Sequence, residues 1–252
     1  MIYLKTQLVY FKDTILGLVN QFFSIFSSLL LIGLIFTQVD SINGWGLYEL
    51  LFLTGLSRFV LHFHTIFMFS TVFLGEHYIT TGRLDRYLVR PLNVLYQLYA
   101  SRVNFHNLGD AVASLLIVIY SVNQIQGFSL TGLKVIYALL SLGSAVMVIA
   151  AIFLFFGTIG FWTGRTGSLF SLFWKVRKFM KYPFGIYSEA MKIFFITIMP
   201  IAFASFFQAS FLLGKFQYIR LQALSIVAGP VFYILAYRFW LYGLSKYSST
   251  GS

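Results

Sequence analysis

The sequence predicts an all-α, polytopic membrane protein with six transmembrane helices, and three observations predict it. Hydrophobic residues make up 59% of the 252 and charged residues only 10%, where a soluble domain carries about 25% charged residues. The mean hydropathy is +0.83, so lipid must be the main solvent. The apolar residues also gather into runs of about 20 or more, the length needed to cross a hydrocarbon core. Third, the excess positive charge, net +11, sits between those runs. That pattern marks membrane orientation rather than nucleic acid as a partner.

The N-terminal stripe Leu4, Leu8, Phe11 and Ile15 predicts a short interfacial helix over residues 3–16, with Lys5 and Lys12 off the stripe. Because the first long apolar run follows these charges without a small-residue cleavage site, it reads as a retained span. Spans are expected at Leu18–Gln38, Tyr48–Phe73, Val103–Val122, Leu133–Trp162 and Leu221–Leu244. Between Tyr182 and Gly214 the apolar stretch is too long for one crossing, and Pro200 interrupts it. The sequence there predicts a fifth span ending near Met199, then a re-entrant outer hairpin over Ile201–Leu213, with Pro200 at its entry and Phe203 and Phe206 within it. Backbone of that kind must be buried in protein or line a cavity. One long kinked helix is the alternative.

Loop charge orients the spans. With the N-terminus inside, the inner segments, including the basic run 163–182, hold all of the 18 Lys and Arg except four. Lys134, Lys215 and Arg220 fall outside, and Arg58 falls within a span. Both termini are therefore expected in the cytoplasm. No internal repeat or linker is evident, and a single transmembrane domain over 1–252 is expected.

Little in the chain suggests catalysis. Cysteine is absent, so thiolate metal sites and cysteine nucleophiles are excluded. There is no phosphate-binding loop, since the nearest approach, Gly214-Lys215, has Ala209 where a glycine is required. No metal-binding or nucleophile-elbow motif occurs, and no metal or cofactor is expected on this chain.

Ionisable residues inside spans are markers of transport paths. Arg58 and His62 share a helix face on the second span, with His64 nearby, and Asp110 lies on the third. Helical rise puts His62 about 15 Å and Asp110 about 12 Å from the inner ends, so they can pair. Alternatively Arg58 snorkels and the histidines bond within the bundle.

The inner segment Glu76–Asn93 stands out. Gly82 supplies a turn, Asp85 sits in the first turn of a short helix, and Pro91 stops it. Leu84, Tyr87 and Leu88 form an apolar edge that can rest on lipid or dock into another protein's groove.

This segment carries Gly82, Leu84, Asp85, Leu88 and Pro91 in the order G-x-L-D-x-x-L-x-x-P. In that it resembles the permeases of the ABC-2 type, and within them a branch once grouped as a domain of unknown function. Tyr182-Pro-Phe-Gly-Ile-Tyr, Met199-Pro-Ile-Ala-Phe, Leu212-Leu-Gly and the tail from Trp240 to Gly251 are similar to that branch in the same order. Gln208 stands near where the family carries a second proline. The resemblance implies an exporter driven by a separate cytoplasmic ATP-binding subunit, which carries ATP and Mg. It also implies a second permease chain, identical or different, in a bacterial cell membrane. Glu76, Gly82, Leu84, Asp85, Tyr87, Leu88 and Pro91 would then form the ATPase-coupling element. The other reading is an ATP-independent channel or secondary transporter using Arg58, His62 and Asp110. Abundant Phe (30) and Tyr (16) suit an amphipathic cargo as well as ordinary packing.

Overall fold

The computed structural model describes the backbone of residues 2–104 and 107–249, and their side chains except at 2–16, 18 and 20. Among the described residues the chain is all helical, with no strand beyond an isolated bridge between Ile42 and Trp45. Three helical stretches are long and apolar enough to cross a membrane: Leu47–Ile79, Gly132–Thr163 and Phe216–Ser245. Two shorter apolar stretches, Gln21–Phe36 and Leu108–Gln124, accompany them.

Helix α1 runs unbroken from Ile2 to Phe36, about 52 Å at the helical rise. The expected surface helix and first span are thus one helix, because no proline or polar turn separates them. The Leu4–Ile15 stripe lies outside the described side chains. After a turn in which Asn43 and Gly44 take positive φ, α2 (Leu47–Met68) begins. The Gly46 N–H donates to Glu49 Oε2 at 2.9 Å, satisfying one of the orphan donors at its start. Past Met68 the coil tightens into a 3-10 turn (Phe69–Phe73) and then widens into a π turn (Leu74–Ile79). Such irregular coil marks functional hinges and sites.

A one-turn helix α3 (Asp85–Leu88) and a two-turn α4 (Val94–Ser101) follow. Helix α5 (Leu108–Gln124) starts deep: the preceding Asn104 N–H bonds to Ile66 O of α2 at 2.8 Å. Helix α6 (Gly132–Thr163) agrees with the expected fourth span and ends on Gly164 at φ +66°, a left-handed cap that glycine adopts without steric cost. Helix α10 (Ile219–Ser245) agrees with the last.

The fifth span differs from expectation. Tyr182–Met199 is a 3-10 turn (Phe184–Ile186) and the eight-residue α8 (Glu189–Ile196), about 12 Å of helix. Pro183 and the extended backbone at Tyr187 and Ser188 prevent anything longer. The helix that extends away from the α6 turn is instead α7 (Gly167–Val176), continued by the 3-10 turn Arg177–Lys181. Sequence reading assigned that stretch to a basic inner loop. Its apolar positions Phe170, Phe173, Val176 and Met180 are buried, and its cations share the remaining faces.

In the stretch expected to form the hairpin, a 3-10 turn (Ile201–Ala204) and α9 (Phe206–Leu212) flank Ser205. All of Ile201–Ser210 is buried. Phe203 packs on Phe207, and Phe206 on Trp45 and Phe184. Pro200 precedes the turn and is buried. Gln208 does not disturb it, since its amide donates to the Phe203 carbonyl.

Contacts define two ends. At one, Lys215 reaches Gly44 O at 2.7 Å and Glu49 at 3.0 Å, and Gly185 abuts Asn43. At the other, Glu76 meets Thr166, Asn93 meets Tyr237 and Asp85 meets Tyr247. Between them α6 and α10 pack along their length. Ser144 Oγ accepts from the Gly229 N–H at 2.8 Å and donates to Ser225 O at 2.6 Å. Only glycine at 229 lets the α6 backbone come so near. Val227, Val231, Ile234 and Leu235 of α10 face outward, as expected where lipid or another apolar surface is the neighbour.

Candidate functional site

Two groups of residues have an arrangement beyond packing. The first is at the end carrying the C-terminus. Glu76, in the π turn, turns its carboxylate onto the start of α7. Oε1 accepts from the Thr166 N–H at 2.7 Å and the Gly167 N–H at 2.8 Å, and Oε2 from Thr166 Oγ1 at 3.1 Å. A helix start has orphan donors and a positive dipole end, and an anion satisfies both. Gly75 allows this approach, because a Cβ there would press on Gly164 O at 3.0 Å. Glu76 therefore ties the end of α2 to the start of α7, both of its carboxylate oxygens being engaged there.

Gly82 turns the chain at φ +65°. Leu84 and Tyr87, expected on a docking edge, instead face inward, 0% and 5% exposed, and join a core with Tyr78, Leu95 and Trp240. One turn of helix has too little length for two apolar faces, and the core takes the first. Asp85 is also committed internally: Tyr247 Oη donates to Oδ1 at 2.9 Å and Ser249 Oγ to Oδ2 at 2.6 Å. Burial, then the Asp85 carboxylate, pushes the Tyr247 hydroxyl up to about 12, so it stays a donor.

What protrudes is the next stretch. Leu88, Val89, Pro91 and Leu92 are exposed, Val89 at 82%. This knob is held at its base by a buried side chain. Gln97 Nε2 donates to Tyr87 O at 3.1 Å and to Leu92 O at 3.0 Å, one carbonyl on each side. Asn93 caps α4 through the Tyr96 N–H and anchors to Tyr237 of α10. Sequence periodicity missed Val89 and Leu92, because it marks an apolar face without saying whether a core or a partner covers it.

The second group is in the middle of the bundle. Arg58 Nη2 is 3.3 Å from Asp110 Oδ1, and His62 Nδ1 is 3.6 Å from Oδ2. The structure thus brings together all three intramembrane candidates. Asp110 is in the first turn of α5, where the helix dipole also favours its charge. His64 is elsewhere, fully buried with its ring edge on Phe153 at 4.6 Å. Arg177, placed by sequence in an inner loop, lines the same cavity as Arg58. The signal for it was present as the apolar spacing Leu169, Phe170, Phe173, Val176 and Met180, which reads as one helix face. Among the described residues no group of three or more His, Asp or Glu could hold a metal.

Comparison with known proteins gives one family. The model of the family described as ABC-2 family transporter protein matches residues 22–251, covering both groups. No curated protein and no solved structure matches the chain.

Proposed function

This chain belongs to the ABC-2 transporter family, and we propose that it is the permease subunit of an ATP-driven exporter. In this reading a separate cytoplasmic subunit binds ATP and Mg, and a second permease chain, identical or different, completes the pathway. The protein is in a bacterial cell membrane as one domain of six crossings, the fifth formed by Gly167–Lys181. Both termini are cytoplasmic, and residues 184–218 cap the outer end. Moving Arg177, Lys178 and Lys181 off the inner surface leaves the charge bias in place, since Arg83, Arg86, Arg90, Arg102, Arg165, Arg238 and Lys246 remain at the inner end.

The observation that carries the proposal is the knob. Apolar side chains held out into water at a rigid loop mark a protein contact, and Gln97 gives this loop its rigidity. A push on Leu88–Leu92 reaches the irregular end of α2 and, through Glu76, the start of α7. Those two elements carry Arg58 and Arg177. The linkage therefore runs from the proposed ATPase contact, through the irregular end of α2, to the middle of the bundle.

The test is co-expression of the tagged chain with an ABC ATP-binding subunit and a second permease. A stable complex should be retained on the tag and hydrolyse ATP, while the highly purified chain alone hydrolyses none. A chain that transports in vesicles without any ATP-binding subunit would instead support the channel or secondary-transporter reading. A reporter fused at the C-terminus should be cytoplasmic, and one inserted at Gly127 should be outside.

A further inference from the structure

The cations that sequence reading assigned to an inner loop surround a cavity of about 420 Å³ between α1, α2 and the turn Arg177–Lys181. Arg58, Arg177, Lys178 and Lys181 line it. Asp110, the carboxylate beside Arg58, is already paired with it. Among the described residues Arg177 Nε, like Arg58 Nε, is buried without a hydrogen-bond partner, and the Arg177 guanidinium is 5.1 Å from the Trp174 ring. Lys181 Nζ reaches Ser28 Oγ at a long 3.5 Å and lies 5.3 Å from the Tyr182 ring. Lys178 is exposed at the rim, and Arg58, Arg177 and Lys181 are partly buried; three partly buried cations against one carboxylate is an imbalance that costs free energy unless an anion completes it.

The other walls say what kind of anion. Ser24, Ser27 and Ser28 of α1 and Thr54 and Ser57 of α2 add hydroxyls, which can donate to anionic oxygens. Leu31, Leu61 and Met180 give the same cavity an apolar side, and Leu31 is half exposed at the flank of the bundle. Arg58 is eleven residues along α2 from Leu47, about 16 Å below that end. A small hydrated anion has no use for the apolar side and must shed its water to reach this depth, whereas an amphiphile brings its tail with it.

We propose that this cavity binds the anionic headgroup of a phosphate-bearing amphiphile, with its chains along the Leu31, Leu61 and Met180 side. This rests on the exporter reading and names its substrate class. Arginine forks and lysine ammoniums both suit phosphate oxygens. Glu76 ties the start of α7 to α2, so motion at the inner end would change the spacing between Arg177 and Arg58 and hence the grip on the headgroup.

The experiment measures binding to the purified full chain in zwitterionic detergent, with no ATP-binding subunit present. The probes are dioctanoyl phosphatidic acid, dioctanoylglycerol and inorganic phosphate, followed by native mass spectrometry and by tryptophan fluorescence, which Trp174 reports. Phosphatidic acid should bind at least about tenfold more tightly than either other probe, the gain expected from charge-assisted hydrogen bonds. Lys181→Gln and Arg177→Gln should each weaken it about tenfold or more, while Lys192→Gln, a cation outside the cavity that is paired with Glu189, should leave it unchanged. Should Arg177→Gln fail to fold, Lys181→Gln alone decides. Equal binding of dioctanoylglycerol, or wild-type affinity in Lys181→Gln, would overturn the proposal. Equal binding of inorganic phosphate would overturn the amphiphile assignment. Each of these results is independent of retention of an ATP-binding subunit, so a failed site and a failed exporter reading are told apart.

Discussion

Arg58 of α2 and Asp110 of α5 meet in the interior of the bundle at 3.3 Å, across 52 residues of sequence. Asp110 is what keeps Arg58 tolerable there. Asp110→Leu removes the carboxylate and leaves a buried cation next to Arg177. We expect a loss on the order of 3 kcal/mol, seen as a lower melting temperature and lower yield in detergent. The double variant Arg58→Leu/Asp110→Leu should recover much of that loss, because neither charge is then left alone. Wild-type stability in Asp110→Leu would mean that Arg58 snorkels to water and the contact has no energetic role.

Glu76 gives a second test. Glu76→Gln keeps the shape and one good acceptor but loses the charge facing the start of α7. We expect a stability loss of about 1–2 kcal/mol, and a larger one for Glu76→Ala. In the assembled complex Glu76→Gln should also lower the coupling ratio of transport to ATP hydrolysis, since the linkage passes through this carboxylate. Unchanged stability and coupling in both variants would remove Glu76 from the linkage.

The knob and the core beneath it should respond in opposite ways. Val89→Asp and Leu92→Asp place a charge on an exposed loop and should leave folding unchanged within about 0.5 kcal/mol. They should abolish retention of the ATP-binding subunit on pull-down. Leu84→Asp buries a charge among Tyr78, Leu95 and Trp240 and should prevent folding. If Val89→Asp and Leu92→Asp retain the subunit fully, the contact is elsewhere.

The tail should depend on Asp85. Asp85→Ala removes the acceptor that Tyr247 and Ser249 share, and trypsin should then cut after Lys246 several-fold faster. The Tyr247 hydroxyl is shifted up from 10.0 to about 12 by burial and by the carboxylate. Its contribution is fully present below pH 10 and is lost as pH rises through about 12. Tail protection should therefore stay constant from pH 6 to about pH 9. A tail that opens within that range would show that another group holds it.

The sequence determined the fold class, because composition alone settles which solvent the surface faces and helices satisfy their own backbone in lipid. It placed α6 and α10 within a residue or two, since a long apolar run can bury only as a continuous helix. It put His62 and Asp110 at similar depths, with Arg58 on the same helix face as His62, because helical rise and twist are fixed. Three things needed the tertiary structure. Spacing marks Leu84 and Tyr87 as one face, yet only packing shows that Tyr78 and Trp240 cover them and that Val89 and Leu92 remain. Apolar content placed the fifth span at Tyr182–Met199. There the structure has only the eight-residue α8, because Pro183 breaks the stretch, while α7 forms upstream at Gly167–Val176 with its start capped by Glu76 from another element. Finally, Arg177, Lys178 and Lys181 look like an ordinary basic loop until α1 and α2 close around them. Charge tells what a residue needs, and only long-range contacts tell whether water, a carboxylate or an empty cavity meets it.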